Sequence, residues 1–405
     1  MTAARRKGSN HNALAFVIIT VLINAIGFGI MIPVLPDLIK ELTELSNADA
    51  AIHGGWLTFV FAVMQFIAMP IVGALSDAYG RRPVMLVSLL GLAADYLLMA
   101  LAPTILFLYI GRLIAGAFGA TLSTANAYIA DVSPPETRAQ NFGLIGAAFG
   151  IGFVLGPVIG GLLGDFGPRV PFYAAGALSL ANVIYGFIFL PETHKPENRR
   201  PFNWRRANPF GAFKALGRIE GVHGIIFILF LLALAHTAYP SAYTFVMLEG
   251  LAWDSRDVGL SLGAFGLASA IVQGGLIRII IPKIGMKKAA AIGIMSAVIA
   301  YAMIGAASTG WVVYAAGPAA ALAGLYGPAL TNMASERLSE AEQGELQGAI
   351  GAAQGLALMI GPLVLTRTFQ AFSKVDSPPY FPGAPFILAS AFAAVALLIF
   401  LFRKA

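Results

Sequence analysis

Apolar residues run along this chain in long blocks, each closed by a short polar or glycine-rich break. The blocks fall at about 13–36, 54–76, 84–103, 105–130, 140–164 and 170–190, then at about 220–248, 257–281, 289–308, 311–334, 345–370 and 383–402. One α-helix needs about 20 apolar residues to cross a bilayer, and each block meets that length. The pattern therefore predicts an all-α membrane protein with twelve transmembrane helices. Residues 1–12 are polar and basic. The block after them is too long for a signal-peptide core and has no clear cleavage site, so helix 1 is expected to be retained. One long polar interruption, residues 191–218, separates residues 1–190 from 219–405 and leaves six helices on each side.

Charge supplies an orientation. With the N-terminus in the cytoplasm, 19 of the 26 Lys and Arg residues fall in inside segments. Seven of these lie in the central linker: Lys195, Arg199, Arg200, Arg205, Arg206, Lys214 and Arg218. The outside loops hold four, Lys40, Arg169, Arg256 and Lys374, and Arg112, Arg278 and Arg367 fall within helices. That asymmetry follows the positive-inside rule and predicts both termini in the cytoplasm. The net charge of +6 is then topological and faces membrane lipid, so no nucleic-acid partner is expected.

Composition agrees. The chain is 58% hydrophobic and 11% charged, with mean hydropathy +0.79, where a soluble domain carries about 25% charged residues. Cysteine is absent, and the five histidines are scattered without ligand spacing, so no metal site is expected. No P-loop pattern occurs and no nucleophile–base constellation is visible, so neither a cofactor nor an enzyme is expected.

Three features carry chemistry. The first is the stretch Gly73-Ala-Leu-Ser-Asp77-Ala-Tyr-Gly80-Arg81-Arg82-Pro83 between helices 2 and 3. It reads as a tight turn, with Gly73 and Gly80 free for close approach or unusual dihedrals and Asp77 placed to meet a helix N-terminus or a cation. Asp77, Arg82, Asp131, Glu136 and Arg138 share the inner face by topology, either as a latch or, for Glu136 especially, as a solvated rim. The second is helix 5, where Gly152, Gly156, Gly160 and Gly164 recur every fourth residue beside Pro157 and Gly161. Such a ridge allows close helix packing, and Pro157 removes one helix hydrogen bond. A packing role and a role in transport direction both remain open. The third is the pair of intramembrane charges, Asp95 in helix 3 and Arg112 in helix 4. Charges at that depth are costly and point to function, here proton exchange, against the alternative of a static structural pair. Asn24, Gln65, Asn126, His236, Gln273, Asn332 and Gln354 also punctuate the helices. Each could line a substrate path or make one interhelical hydrogen bond, and His236 reads more as a packing histidine than a titrating one.

The halves repeat. Gly146-Ala-Ala-Phe-Gly150 returns as Gly351-Ala-Ala-Gln-Gly355, an offset of 205 that also carries Gly156-Pro157 onto Gly361-Pro362 and Gly80 onto Gly285.

The loop G-x-L-S-D-x-x-G-R-R-P resembles the signature between helices 2 and 3 of the major facilitator superfamily. The resemblance implies the major facilitator fold, two pseudo-symmetric six-helix bundles with a substrate site between them that rock to give alternating access. Gly156-Pro157-Val-Ile-Gly160-Gly161 resembles the helix-5 motif of its drug–proton antiporters. Ile26–Pro36, Met64-Gln65, Asp95-Tyr96-Leu97-Leu98, Gly111-Arg112-Leu113 and Gly344–Gly348 are similar to the tetracycline-resistance branch. In that branch the inner loop gates, and the helix-3 Asp and helix-4 Arg are required. Those roles would fall on Gly73, Asp77, Gly80, Arg81, Arg82 and Asp131, and on Asp95 and Arg112. Three positions depart: family carboxylates in helices 1 and 9 correspond to Asn24 and Ala297, and a helix-8 histidine to Ser269. A positively charged metal–drug complex loses its partners there. The expected function is export of small amphipathic molecules by a monomer in a bacterial inner membrane, in exchange for protons. The alternatives are an uncoupled facilitator, a metabolite importer or a membrane sensor on the same fold.

Overall fold

The computed structural model describes residues 2–119, 121–194, 196–204, 208, 221–339, 342–374 and 379–403. Lys195, Arg205, Arg206, Lys214 and Arg218 of the expected linker lie outside the described residues. The described residues form helices and turns and no strand. Twelve of the helices are long and apolar enough to cross a membrane. They are α1 (Leu14–Thr43), α2 (Asn47–Tyr79), α3 (Arg81–Leu101), α4 (Ile105–Val132), α5 (Pro135–Gly164) and α6 (Val170–Phe189). After the linker come α7 (His223–Ser241), α8 (Ser255–Ile284), α9 (Met286–Gly305), α10 (Gly310–Ser335), α11 (Gln343–Ser373) and α12 (Ala384–Phe402).

Repetition at an offset of 205 residues extends to the backbone. Gly80 caps the start of α3 at φ 109°, ψ 159°, and Gly285 caps the start of α9 at φ 80°, ψ 160°. A side chain is strained at such a φ, so glycine is required at both. Thr104 and Thr309 open α4 and α10 in the same extended conformation, at φ −147° and −145°. Pro157 and Pro362 occupy equivalent places inside α5 and α11.

The segment Gly73–Pro83 is less of a turn than its residues suggest. Helix α2 runs through Gly73 and Asp77 to Tyr79, and only Gly80 interrupts it before α3 begins at Arg81. Ala74, Leu75 and Ala78 are good helix formers that carry the helix past Gly73, whose position meets no neighbour within 4 Å.

By compactness the chain divides into two units, Met1–Val34 with Val60–Pro209, and Leu35–Phe59 with Phe210–Ala405. The end of α1 and the start of α2 thus group with the second unit. In the first unit Phe16, Val21, Met85, Leu89, Tyr128 and Ile129 form one buried cluster joining α1, α3 and α4. The glycine ridge of α5 lies against α1. A Cβ on Gly152 would stand 2.6 Å from the Leu22 carbonyl, and one on Gly156 2.6 Å from the Ile26 carbonyl and 2.7 Å from Gly29 Cα. Gly160 abuts Ile30 in the same way. Lipid tails supply no hydrophobic drive between helices, so this backbone-to-backbone approach is how α1 and α5 gain packing energy. The core of the second unit is aromatic, with Tyr239 of α7 5.7 Å from the rings of both Tyr301 and Phe386.

Candidate functional site

Helices α3 and α4 bring Asp95 and Arg112 together in the first unit. Asp95 is 1% exposed and Arg112 4%. Arg112 Nη2 donates to Asp95 Oδ2. The pair is close because residue 111 is glycine: a Cβ there would stand 2.6 Å from Asp95 Oδ1. Among the described residues Asp95 Oδ1 and Arg112 Nε have no hydrogen-bond partner although both are buried.

The rest of the guanidinium meets sulfur rather than oxygen. Nη1 donates to Met31 Sδ of α1 at 3.1 Å, and Nη2 to Met99 Sδ of α3 at 3.2 Å. The Phe61 ring of α2 lies 5.8 Å from the guanidinium carbon. Thioethers are weak acceptors, so the strong interaction of Arg112 is concentrated on one carboxylate. A proton on Asp95 would remove the charge that holds Arg112 and leave it soft partners only. Neither methionine is legible as part of a charged site from sequence, because each reads as core.

A second ionic group surrounds the α2–α3 junction. Arg81 Nη1 pairs with Asp77 Oδ1 at 2.6 Å, one helical turn back. Its Nε donates to Asp131 Oδ2 of α4 at 3.1 Å. Glu192, just past α6, accepts from the backbone N–H of Arg81 at 2.9 Å and of Arg82 at 3.2 Å. A carboxylate on the first amides of α3 is favoured by both the free donors and the helix dipole. Arg82 Nη2 donates to the Phe187 carbonyl at 2.7 Å. Of the inner-face charges expected together, Asp77 and Asp131 meet, but through Arg81 rather than the expected Arg82. Glu136 and Arg138 are exposed, with Arg138 reaching the Ser133 carbonyl. Glu192 escaped the sequence reading because it stands at the head of a polar linker, although an acid directly after a membrane helix was a usable signal.

The single polar residues scatter. Asn24, Gln65 and Asn126 are half-buried in the first unit, and Gln65 packs against Gly119 where α4 is broken. In the second unit Gln273 and Gln354 are exposed, and Asn332 is half-buried with its Oδ1 enclosed and unpartnered among the described residues. Gln273 sits in a π-helical turn, Val272–Leu276, inside α8; such turns are frequent at functional sites. His236, expected as a packing residue, is exposed beside Tyr239, with ring centroids 5.5 Å apart. Ala297 is 1% exposed. No group of three His, Cys, Asp or Glu side chains that could hold a metal occurs among the described residues.

Within the second unit, residues 35–59 carry polar contacts that no local pattern announced. Ser255 Oγ donates to Asp37 Oδ2 at 2.6 Å. Glu249 accepts from Asn47 Nδ2 and from the Tyr380 hydroxyl, both at 2.8 Å. Gln370 Nε2 donates to Asp49 Oδ1 at 2.8 Å, with Lys374 Nζ 3.2 Å from the same oxygen. Partial burial and the adjacent Glu249 carboxylate push the Tyr380 phenol up to about 12, so it stays a donor at any physiological pH.

Twelve membrane-crossing helices, a twofold repeat and a buried ion pair define a polytopic transporter fold. The chain belongs to the Major Facilitator Superfamily, whose profile matches residues 17–362 and 225–405. It is 37% identical over 362 residues to the class C tetracycline resistance protein of Escherichia coli, covering 89% of this chain and 91% of that protein. It is 34% identical over 385 residues to the class E protein of Escherichia coli, covering 95% and 93%. Among solved structures, the human organic anion transporter MFSD10 (TETRAN) superposes with a TM-score of 0.70 at 23% identity, covering 96% of this chain and 99% of that one. The chain is therefore a multi-pass membrane transporter of this superfamily and not an enzyme.

Proposed function

We propose that this protein exports small amphipathic molecules across a bacterial inner membrane by alternating access, in exchange for protons, with both termini in the cytoplasm. The reading rests on the buried Asp95–Arg112 pair. A carboxylate with one oxygen on Arg112 and the other enclosed without a partner has a place for one proton. Proton arrival would discharge the pair and free Arg112, whose remaining partners are sulfur atoms on α1 and α3. Arg112 thereby connects proton binding to α1. The similarity to tetracycline resistance proteins supports drug export as the direction.

The Arg81–Asp77–Asp131 group would latch the inner face in one state and open it in the other. The ridge Gly152, Gly156, Pro157, Gly160 and Gly161 would set the α1–α5 contact. Asn24, Gln65, Asn126, His236, Gln273, Asn332 and Gln354 would touch the substrate on its way. The unit at work is a monomer surrounded by membrane lipids.

Proteoliposomes carrying an internal pH dye test the proposal. Drugs including tetracycline, with and without magnesium, are added under an imposed pH gradient. Wild type should show drug-evoked proton flux, and Asp95→Asn should abolish it at unchanged expression. Drug movement without proton flux would favour the second reading, an uncoupled facilitator. That reading draws on Asn24 and on the buried Ala297, neither of which titrates.

A further inference from the structure

On one side of the second unit the start of α7 meets the ends of α10 and α12, and two arginines converge there. Arg403, the residue after α12, donates through Nη2 to the Gly221 carbonyl at 2.6 Å. Arg337, two residues past the end of α10, donates through Nη1 to the same oxygen at 3.4 Å. The two nitrogens can therefore stand no further apart than the sum of those distances, about 6 Å. A carbonyl accepts both bonds but cancels no charge. Among the described residues no carboxylate pairs with either arginine. Their separation is shorter than the Debye length of about 8 Å at physiological salt, so their repulsion is largely unscreened.

The surroundings add to that field. The Arg403 guanidinium lies over the first turn of α7, where a Cβ on Gly224 would stand 3.5 Å from its Cζ, and a helix start is itself positive. Partial burial and the Arg337 charge push Arg403 below the usual arginine range. The first unit handles its inner-face arginine differently, because Arg81 meets both Asp77 and Asp131.

We infer that Arg337 and Arg403 form a binding site for the phosphate group of an anionic phospholipid. A phosphate supplies the counter-charge that the protein leaves out, and its oxygens match the paired N–H donors of a guanidinium. Position favours a lipid over a soluble phosphate. Arg403 directly follows Phe402, the last residue of α12, which is 80% exposed. Leu398 and Leu401 of α12 are exposed too, as is Phe227, one turn along α7 from Gly224. A headgroup on the arginines thus has its acyl chains against apolar side chains of α7 and α12. Basic pockets between membrane helices take anionic headgroups in this way. The bound lipid would join three helix ends of the second unit, whatever molecule the protein carries.

Quenching by brominated lipid tests the site. The full chain, with Trp56, Trp204, Trp253 and Trp311 changed to Phe and Phe227→Trp as the reporter, is placed in phosphatidylcholine nanodiscs. Phosphatidylglycerol with brominated acyl chains replaces rising fractions of the phosphatidylcholine. Quenching should show about 25-fold preference for phosphatidylglycerol, about fivefold from each arginine. Arg337→Gln and Arg403→Gln should each lose about fivefold, and the double variant should bind the two lipids alike. Lys287→Gln with Lys288→Gln removes two exposed charges from the start of α9, on the same side of the unit, and should lose less than twofold. Inorganic phosphate at constant ionic strength should leave the quenching unchanged.

A wild-type preference below twofold would overturn the inference. So would equal losses in the lysine and arginine double variants, which would assign the preference to the charge of the whole face. Release of the brominated lipid by inorganic phosphate would make the ligand a soluble phosphate and reject the lipid. The single arginine variants decide the matter should the double variant fail to fold.

Discussion

The two units carry one backbone plan and opposite interiors. In the first, polar burial is ionic: Asp95 and Arg112 face each other with sulfur and a phenyl ring around them. In the second, it is neutral: tyrosines, Ser261 and Phe265 surround a cavity, and Ala297 is fully buried without charge. The shared caps Gly80 and Gly285, Thr104 and Thr309 show that the repeat preserves what the chain needs to turn and start helices. Side chains inside the bundles were free to part. Among the described residues, buried charge is thus confined to the first interior, while the second gathers tyrosines around one cavity.

The largest test of this contrast removes half of the ion pair. Arg112→Ala leaves Asp95 buried and alone and should cost roughly 3–5 kcal/mol, read as a fall in thermal unfolding temperature in detergent. The neutral double variant Asp95→Asn with Arg112→Gln should regain most of that stability without regaining proton flux. Full recovery of flux would break the assignment of the proton to this pair.

Ala297→Asp puts a carboxylate into the neutral unit. At 1% exposure and with no cation provided, it should cost about 2.5–3.5 kcal/mol. Yield and unfolding temperature equal to wild type in the Ala297→Asp variant would show that the second interior is wetter than its packing implies.

A third comparison uses equivalent glycines. Gly156→Ala would press a methyl group onto backbone of α1, at 2.6 Å from the Ile26 carbonyl, and should destabilise by about 1–3 kcal/mol. Gly361→Ala meets a side chain instead of backbone, Thr237 with its Cβ and Cγ2 at 3.0 Å and its hydroxyl held by the Leu234 carbonyl, so its cost should fall at the lower end of that range, about 1 kcal/mol. Equal losses would show that the α5 ridge is no tighter than its counterpart in α11.

The smallest effect belongs to the α2–α3 junction. Glu192→Gln keeps the size of the group that receives the Arg81 and Arg82 amides but removes its charge, and should cost about 1 kcal/mol. Hydrogen exchange at the first turn of α3 should quicken, while the first turn of α9 stays as it was.

Much of this was readable in the chain. A helix that must satisfy its own backbone in lipid announces itself by length and apolarity, which is why all twelve expected spans appear in their places along the chain. The larger differences lie where helix continues through polar residues, α1 on to Thr43 and α2 from Asn47, and α2 also extends to Tyr79 because a glycine inside good helix formers does not stop a helix while a positive φ at Gly80 does. Asp95 and Arg112 stood out because charge is rare in apolar runs. Met31, Met99 and Phe61 did not, because their residue types are what any core contains. The contacts of Asp37, Asp49 and Glu249 join positions more than 130 residues apart, and nothing local marks such pairs.

Local physics, then, set the number of helices, their breaks at Gly80 and Gly285, and the presence of one buried opposite-charge pair. Each depends on a residue and its near neighbours in lipid. Assembly in three dimensions decided which atoms around that pair are oxygen, sulfur or nothing, and that Tyr239, Phe265 and Tyr314 from three helices enclose one neutral cavity. Those outcomes depend on rotation and depth of packed helices, and hydropathy carries no record of either.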